Sequence, residues 1–178
     1  PFDFTAVDFL QDLDAPAFKI ASFEIIDPPL IERCAATGKP LIISTGMANK
    51  AEITEAVETA RAAGCDQLIL LHCVSGYPAD PKDINLLTIP DLALNFGTVP
   101  GLSDHTHGIA VSVASIALGA CFIEKHFTLR RADGGPDAAF SSDPKEIKKL
   151  VSATNKIWKG LGSGSYKRAK EEKKNIVF

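Results

Sequence analysis

Five short runs of apolar residues recur along the chain, and each is followed by turn residues and then by a stretch of helical periodicity. The runs are about 22–31 residues apart, which is the spacing of successive strand–helix units. They are apolar on both faces, as parallel strands covered by helices require. The pattern therefore predicts an α/β protein with parallel strands over residues 17–22, 40–46, 68–73, 98–103 and 121–129.

Two of the intervening helices carry clear start signals. Asn49 can cap the first turn of a helix within residues 49–64, and Glu52 can reach back as its reciprocal partner. Asp143 and Pro144 open the last helix in the same manner. The apolar side of that helix is predicted to consist of Ile147, Leu150, Val151, Ile157 and Trp158.

Polar side chains follow each predicted strand directly, and this decides between two parallel-sheet architectures. An open doubly wound sheet binds ligands only at its switch point. In a closed (β/α)₈ barrel, every carboxyl strand end faces the same mouth. The chain also has no glycine-rich dinucleotide fingerprint. We therefore predict a (β/α)₈ TIM-type barrel, present here as an incomplete barrel of about strands 4–8.

Charge and composition exclude several function classes. The 178 residues carry a net charge of −3 without an extended basic block, which argues against nucleic-acid binding. No apolar run approaches the ~18 residues of a membrane span, and no signal peptide opens the chain. The four cysteines form no CxxC pair and predict buried thiols in a reducing cytosol, namely Cys34, Cys65, Cys73 and Cys121.

His105 and His126 each stand just past a predicted strand, the seventh and eighth of the barrel. Imidazole binds Mn, Fe, Co, Ni or Zn, and two histidines leave coordination positions for water and substrate. Two hydrogen-bonded mouth histidines without a metal are the alternative. His72, inside an apolar run, is predicted to be a core histidine, and His107 a surface residue.

The first predicted strand ends in a cluster of chemically useful side chains. Lys19 and Ser22 can hold a phosphate or carboxylate there, and Glu24 can act as an acid or base. A simple ion pair between Lys19 and Glu24 explains the same residues equally well. A Schiff-base role for Lys19 or Lys125 is a further alternative.

Three more segments offer polar groups at the same mouth. Ser44 ends its strand in a Ser-Thr-Gly turn that can bind an anion. Ser75 and Tyr77 lie in a mouth loop where a tyrosine can line a sugar site. Asp137 belongs to a flexible loop and can accept hydrogen bonds from sugar hydroxyls. Ordinary turn chemistry and packing are the alternative for all of them.

Seven segments, in this order, resemble the sialic acid synthase family along essentially the whole chain. They are PFDFTAVDFL, FKIASFEIIDPPLI, KPLIISTGMA, LLHCVSGYPA, GLSDHTHGIAVSVASIALGA, IEKHFTL and GGPDAAFS. The aromatic Phe23, between Ser22 and Glu24, is similar to the pseudaminic acid synthases of that family. N-acetylneuraminate synthases usually carry a small residue there.

The resemblance implies an activity and an assembly. Phosphoenolpyruvate would condense with the open-chain aldehyde of an amino sugar to give a nine-carbon 2-keto acid and phosphate. The enzyme would be cytoplasmic, would use Mn²⁺ or Mg²⁺, with Co²⁺ as a third candidate, and would form a domain-swapped homodimer. Residues 1–165 would be five βα units of the barrel. Residues 166–178 would be a charged connector to an antifreeze-like domain.

Position by position, the resemblance assigns His105 and His126 to the metal. It gives Glu24 the acid/base role near the reacting carbons and makes Lys19 a second catalytic group. It implies that Lys19, Ser22, Ser44 and Ser103 surround phosphoenolpyruvate, and that Ser75, Tyr77 and Asp137 line the sugar side. His107, where many relatives have Leu, receives no role. Because an incomplete barrel would expose apolar edges, we expect the isolated segment to be inactive.

Three functions stay open at this point. The first is a metal-dependent synthase, for which Phe23 favours a 6-deoxy sugar and the resemblance favours pseudaminic acid, with N-acetylneuraminate or legionaminic acid as alternative products. The second is a Schiff-base aldolase of the sialic acid lyase kind. The third is a non-catalytic barrel that binds sugar phosphates.

Overall fold

The computed structural model describes residues 1–176, in which five parallel strands alternate with helices. The strands are β1 (Phe18–Ile20), β2 (Leu41–Ser44), β3 (Leu68–Cys73), β4 (Val99–Asp104) and β5 (Phe122–Lys125). The helices are α1 (Phe4–Asp12), α2 (Pro28–Ala35), α3 (Lys50–Ala62), α4 (Thr88–Phe96), α5 (Ala110–Ala117) and α6 (Pro144–Leu161). Short 3₁₀ turns span Ser22–Ile26, Pro81–Asp83, Arg131–Asp133 and Glu172–Asn175.

The sheet order is β1-β2-β3-β4-β5, and every neighbouring pair is parallel. Each strand thus pairs with the next one along the chain, without the order reversal that creates a switch point in an open doubly wound sheet. This confirms the predicted incomplete TIM-type barrel. All five predicted strands exist, although most are shorter than their apolar runs.

The main core lies between the outer face of the sheet and the helices. Ile20, Ile43 and Leu70 are partners in register on β1, β2 and β3, and all three are fully buried. They pack in one cluster with Ile31 of α2 and Val57 of α3. Since alternate residues of a strand face opposite ways, the residues between these core positions point into the barrel.

Local capping signals act as the sequence indicates. Asn49 and Glu52 form a reciprocal capping box at the start of α3, and Asp143 and Glu146 form another at α6. The apolar side of α6 is only partly covered. Leu150 is buried on it, whereas other members of the predicted side are largely exposed, namely Val151 and Trp158.

Two features of the structure depart from the predicted pattern. Helix α1 was not predicted; Asp3 caps it by accepting a hydrogen bond from the Ala6 amide, and Val7 is its fully buried residue. Strand β5 ends before His126, so that this histidine lies in the connection after the strand.

The cysteines, the helices and the C-terminal segment complete the description of the fold. Cys34, Cys65 and Cys73 are buried free thiols, but Cys121 is exposed, so its predicted burial is wrong. Within residues 1–176, no helix has the length and apolarity to cross a membrane. Of the predicted connector, residues 166–176 are exposed and residues 177–178 lie outside the described part.

Candidate active site

The two candidate metal ligands meet at the carboxyl ends of β4 and β5. The register pairs Asp104 with Lys125, and His105 and His126 are the next residues on each chain segment. Their ring centroids are 5.1 Å apart, with an angle of 66° between the ring planes. The predicted convergence of these imidazoles is therefore present in the structure.

A backbone carbonyl fixes the orientation of His105. Its Nδ1 lies 2.9 Å from the carbonyl oxygen of Val74, in the loop after β3. Because a carbonyl can only accept, Nδ1 carries a proton, and in the neutral imidazole Nε2 then keeps its lone pair. Metal-binding histidines are commonly oriented by such a bond from the other ring nitrogen.

An acidic residue and two aromatic rings surround His126. The Oδ2 atom of Asp137 lies 3.5 Å from His126 Nδ1. The Tyr77 ring packs 4.4 Å from the His105 centroid and 5.8 Å from that of His126. Phe140 packs 5.0 Å from His126. The sugar-side residues predicted from the sequence, Tyr77 and Asp137, thus contact the imidazole pair.

The loop after β5 is held close to the site at its far end. Ser142 donates its amide to the carbonyl of His126, with 2.8 Å between the atoms, and Thr128 donates back to Ser142 at 3.0 Å. Phe140, Ser141 and Ser142 are buried. This return of the chain, which the prediction of a flexible loop did not include, is what brings Asp137 to His126.

A second cluster lies one residue layer deeper on the same inner face. Ser103 donates to Glu124 Oε1 at 2.7 Å, and Lys19 Nζ lies 3.5 Å from the same oxygen. Ser103 precedes His105 by two residues, and Glu124 precedes His126 by two, so all four share one face of the sheet. The alternative pairing of Lys19 with Glu24 is wrong, because Lys19 pairs with Glu124 instead.

Gly46 leaves room for a third group of polar atoms. A Cβ built at this position would lie 2.7 Å from Ser75 Oγ, 2.8 Å from Ser22 Oγ and 3.2 Å from Cys73 Sγ. Cys73 Sγ also lies 3.8 Å from His105 Nδ1. The thiol thereby connects the serine group to the imidazole pair.

Several buried oxygen atoms at the mouth lack protein partners. Within residues 1–176, no hydrogen bond reaches Ser44 Oγ, Ser75 Oγ or Glu24 Oε2. A buried polar atom without a partner costs stability, so such atoms point to a bound molecule that completes their hydrogen bonds. Ser44 and Ser75 were predicted to bind substrate, and Glu24 was predicted to be the acid/base residue.

Burial and mutual contacts shift the ionisation of the site. Burial raises the pKa of the Cys73 thiol, but hydrogen bonds to His105 and Ser22 outweigh it, so the pKa lies below its ordinary value. Burial lowers the pKa of His105, and hydrogen bonding to Cys73 and to the Val74 carbonyl more than reverses this. Burial and the nearby charge of His105 lower the pKa of His126, which keeps that imidazole neutral near pH 7.

The imidazole pair fits a partial metal-ligand set. Bonds from metal to imidazole nitrogen are about 2.1 Å long, so rings on one ion lie only a few ångströms apart, as these do. In the described part of the chain, no three or more His, Cys, Asp or Glu side chains are arranged to hold a metal. Water and substrate would therefore have to supply the other ligands.

Three polar residues singled out from the sequence lie outside this site. His72 is buried and hydrogen-bonds through Nε2 to the Ile84 carbonyl, which confirms it as a core histidine. His107 is exposed, as predicted. Lys125 is buried in an ion pair with Asp104 on the helix side of β5, away from the mouth, which removes it as a Schiff-base candidate.

Sequence reasoning missed two members of the site. Glu124 was overlooked, although its position two residues before His126 places it on the same face of β5. Cys73 was interpreted only as a buried thiol, because β3 is apolar on both faces and hides which side chains point inward. The period of two along each strand would have identified Glu124.

Comparison with known proteins identifies relatives along the whole chain. A protein-family model described as the NeuB family matches residues 1–166. The N,N′-diacetyllegionaminic acid synthase of Campylobacter jejuni is 44% identical over 178 residues, which covers 99% of this chain and 53% of the relative. The pseudaminic acid synthase of Helicobacter pylori is 43% identical over 162 residues, which covers 91% of this chain and 48% of the relative.

A solved structure shows the same arrangement of elements. The N-acetylneuraminic acid synthetase of Leptospira borgpetersenii, crystallised with citrate, superposes with a TM-score of 0.92 at 38% identity. The match covers 99% of this chain and 61% of that one. The chain spans about half the length of the curated relatives it matches.

Proposed function

Because this chain belongs to the NeuB family, we propose that it provides the metal- and phosphoenolpyruvate-binding part of a sugar-acid synthase. The reaction joins C3 of phosphoenolpyruvate to the aldehyde carbon of an open-chain acetamido sugar. Water adds at C2, and the products are a nine-carbon 2-keto acid and inorganic phosphate.

One observation carries the proposal. Ser103 and Glu124 are register partners on β4 and β5, and the imidazoles of His105 and His126 follow two residues later on the same face. Two residues along a strand span about 6.6 Å. The layer with the positive charge of Lys19, which suits an anion, is therefore separated from the imidazole pair by about the length of one small molecule. Two reactants held in adjacent layers are in position for a bond-forming step.

The deeper layer suits the phosphoenolpyruvate side. Lys19 supplies a positive charge, and hydroxyl groups of serine supply donors to phosphate or carboxylate oxygens. Ser44 Oγ is buried without a protein partner, as expected of a donor that awaits a substrate oxygen. Glu124 holds Lys19 and Ser103 together, so it orients the anion-binding groups. We propose Lys19, Ser22, Ser44 and Ser103 as this subsite.

Glu24 is the proposed acid/base. Its carboxylate lies in the 3₁₀ turn that follows β1, and its Oε2 is buried without a protein partner. A carboxylate in this setting can take the proton of the water that adds to C2 and return a proton elsewhere in the reaction. On the sugar side we propose Ser75, Tyr77 and Asp137.

His105 and His126 would hold the divalent ion, Mn²⁺, Mg²⁺ or Co²⁺. A bound ion supplies Lewis-acid polarisation of the aldehyde oxygen. The Val74 carbonyl keeps His105 in the tautomer with a free Nε2, and Asp137 lies beside the Nδ1 of His126. Both contacts prepare the imidazoles as ligands before any ion arrives.

We propose a 6-deoxy acetamido sugar as the substrate and pseudaminic acid as the product. Phe23 lines a small cleft at the rim with Met47, and both side chains are largely exposed. An apolar rim favours a methyl group at C6 over a hydroxyl, because the hydroxyl would lose its hydration there. A legionaminic acid product is a second candidate, since its precursor is an isomer that also carries a methyl group at C6, and the relatives named for the two activities are 44% and 43% identical to this chain.

The test uses the longest natural polypeptide that carries these 178 residues. It is supplied with phosphoenolpyruvate, Mn²⁺ and one of three sugars: 2,4-diacetamido-2,4,6-trideoxy-L-altrose, the isomer that yields N,N′-diacetyllegionaminic acid, or N-acetylmannosamine. We expect phosphate release and 2-keto acid formation to be fastest with the altrose derivative. Faster turnover of the legionaminic precursor would select the second candidate. Equal or greater activity with N-acetylmannosamine would reject the 6-deoxy preference.

A trapping experiment separates the synthase from an aldolase. Borohydride reduction in the presence of pyruvate should leave no label on the protein, because the proposed reaction forms no Schiff base. A labelled Lys19 would contradict the proposal. A protein that binds the sugar without needing metal or phosphoenolpyruvate, and forms no product, would instead be a binding barrel.

We further propose that residues 1–165 are the barrel part and that residues 166–178 connect it to a further domain. The exposure of residues 166–176 supports a connector role. A homodimer in which that domain reaches the mouth of the other barrel completes the proposal. Size-exclusion chromatography with light scattering on the same long polypeptide checks this, and a monomer would reject the dimer.

A further inference from the structure

A buried ion pair lies directly behind the two histidines. Lys125 Nζ is 3.1 Å from Asp104 Oδ2, and their side chains are 4% and 0% exposed. The two residues are register partners on β5 and β4, and each immediately precedes one of the histidines. Since successive residues of a strand face opposite ways, the ion pair points to the helix side and the imidazoles to the mouth.

Both charged groups of this pair make further hydrogen bonds. Asp104 Oδ1 accepts from the Thr106 amide at 2.8 Å and from the Thr106 hydroxyl at 2.7 Å, while Oδ2 also accepts from Ser112. Lys125 Nζ donates a further hydrogen bond to the Thr106 carbonyl at 2.7 Å. Lys125, the residue before His126, is therefore bonded to Asp104 and Thr106, the two neighbours of His105.

Stability alone is a weak reason for such a network. Burying two charges costs desolvation, and replacing a buried ion pair by apolar residues of similar volume is often neutral or stabilising. What apolar side chains do not supply is directional bonding between two particular strand ends. A metal site, in contrast, requires its ligands to be held within about 0.5 Å.

We propose that Asp104 and Lys125 are positioning residues that hold His105 and His126 at the separation required for both imidazoles to bind one divalent ion. The inference rests on the proposed function of the site. It assigns the ion pair a role in metal affinity that is distinct from its contribution to folding.

The test compares metal binding in a neutral double variant, Asp104→Asn with Lys125→Met, against the unmutated protein, both in the longest natural polypeptide. Asparagine keeps an oxygen for the Thr106 donors, and methionine keeps the aliphatic stem. Because both charges are removed together, no buried charge is left unpaired. Free Mn²⁺ is followed by its electron paramagnetic resonance signal, and nitrogen modulation of the spin echo counts the bound imidazoles.

We expect the double variant to bind Mn²⁺ about 10- to 100-fold more weakly, the loss typical of residues that orient metal ligands. The number of imidazoles on the ion should fall from two to one. Leu30→Ala, a buried change in α2, is the matched control for lost stability. It should lower the thermal midpoint without changing Mn²⁺ affinity. Should the double variant fail to fold, Thr106→Val removes one hydroxyl bond to Asp104 and is expected to weaken binding several-fold.

The outcomes separate this inference from the proposed function. A folded double variant with unchanged Mn²⁺ affinity and two bound imidazoles would overturn the positioning role and leave the synthase proposal intact. Equal losses of affinity in Leu30→Ala and the double variant would overturn it as well, because the effect would then follow stability. Absence of Mn²⁺ binding in the unmutated protein would instead remove the metal-dependent function, and the inference with it.

Discussion

Lys19 on β1 forms an ion pair with Glu124 on β5, although these strands are the two edges of the five-stranded sheet. In a flat sheet, four spacings of about 4.8 Å would separate them by roughly 19 Å. The observed 3.5 Å between their charged atoms requires a strongly curled sheet whose inner side chains converge. The candidate site is therefore assembled from side chains on strands that do not hydrogen-bond to one another.

Replacing Lys19 by Met should impair the reaction far more than it impairs folding. The change removes the positive charge beside Glu124 and Ser103, so we expect kcat/KM for phosphoenolpyruvate to fall about 10²–10³-fold. Steady-state kinetics on the long polypeptide measure this. Lys39→Met, which breaks an exposed pair with Asp14, is the control and should leave kcat/KM unchanged. A Lys19→Met variant with normal kinetics would remove Lys19 from the site.

Replacing His126 by Gln should weaken Mn²⁺ binding by more than about 100-fold. This loss is larger than the loss expected when a residue that only orients a metal ligand is replaced. The fold should survive, because the side chain is only partly buried. Isothermal titration with Mn²⁺ measures the affinity, and circular dichroism checks the fold. His107→Gln changes an exposed histidine and should bind Mn²⁺ normally. Equal affinities in the two variants would contradict the assignment.

Replacing Gly46 by Ala should fill the space between Ser22, Ser75 and Cys73. The new Cβ would lie 2.7 Å from Ser75 Oγ, which must rotate away. The serine hydroxyls are movable, so we expect only about 1–3 kcal/mol of lost stability. The KM for substrate should rise at least tenfold. A tenfold rise corresponds to about 1.4 kcal/mol of lost binding free energy.

Chemical denaturation and kinetics together test the Gly46 prediction. Gly160→Ala in α6 is the control, because no atom lies within 4 Å of its added Cβ, and it should leave KM unchanged. A Gly46→Ala variant that loses stability but keeps its KM would show that this space serves packing alone.

The cysteines should differ sharply in reactivity towards a thiol reagent. Burial raises the pKa of Cys34 from an ordinary 9.0 to about 11, whereas Cys121 is exposed. At pH 8 we expect Cys121 to be labelled at once and Cys34 only after unfolding in urea, as read by mass spectrometry of peptides.

The same shift has a defined effect on stability. Below pH 9 the Cys34 thiol keeps its proton in both the folded and the unfolded chain, and its ionisation changes nothing. Between pH 9 and about 11 only the unfolded chain loses the proton, so Cys34 lowers the free energy of unfolding there. Cys34→Ala should show a shallower alkaline decline in urea midpoint than the unmutated protein, and an equal slope would contradict the assigned shift.

Local signals in the sequence were enough to predict the strands, the capping boxes and the barrel order. Asn49 with Glu52 and Asp143 with Glu146 depend only on residues three apart, which any reader of the sequence can compare. Helix α1 was not predicted. Its large apolar residues Phe4 and Phe9 are exposed, so the buried face of the helix does not coincide with its apolar positions.

Within the site, some residues could likewise be predicted from local patterns and others could not. His105 and His126 could be predicted because each follows an apolar run by a fixed offset. The pairing of Lys19 with Glu124 could not, since it depends on how far the sheet curls rather than on any local pattern. Asp137 reaches His126 because residues 140–142 fold back beside the strand end, and this return is set by backbone bonds that hydrophobicity does not encode.

The strict alternation along β4 and β5 also protects the site against misassembly. A slip of β5 by one residue would turn Lys125 towards the mouth and move His126 beneath α5, leaving Asp104 buried without a counter-ion. Pairing in the wrong register would therefore be less stable than the native pairing, because a buried charge would lack its partner. The register that pairs Asp104 with Lys125 is therefore also the register that brings the two imidazoles together.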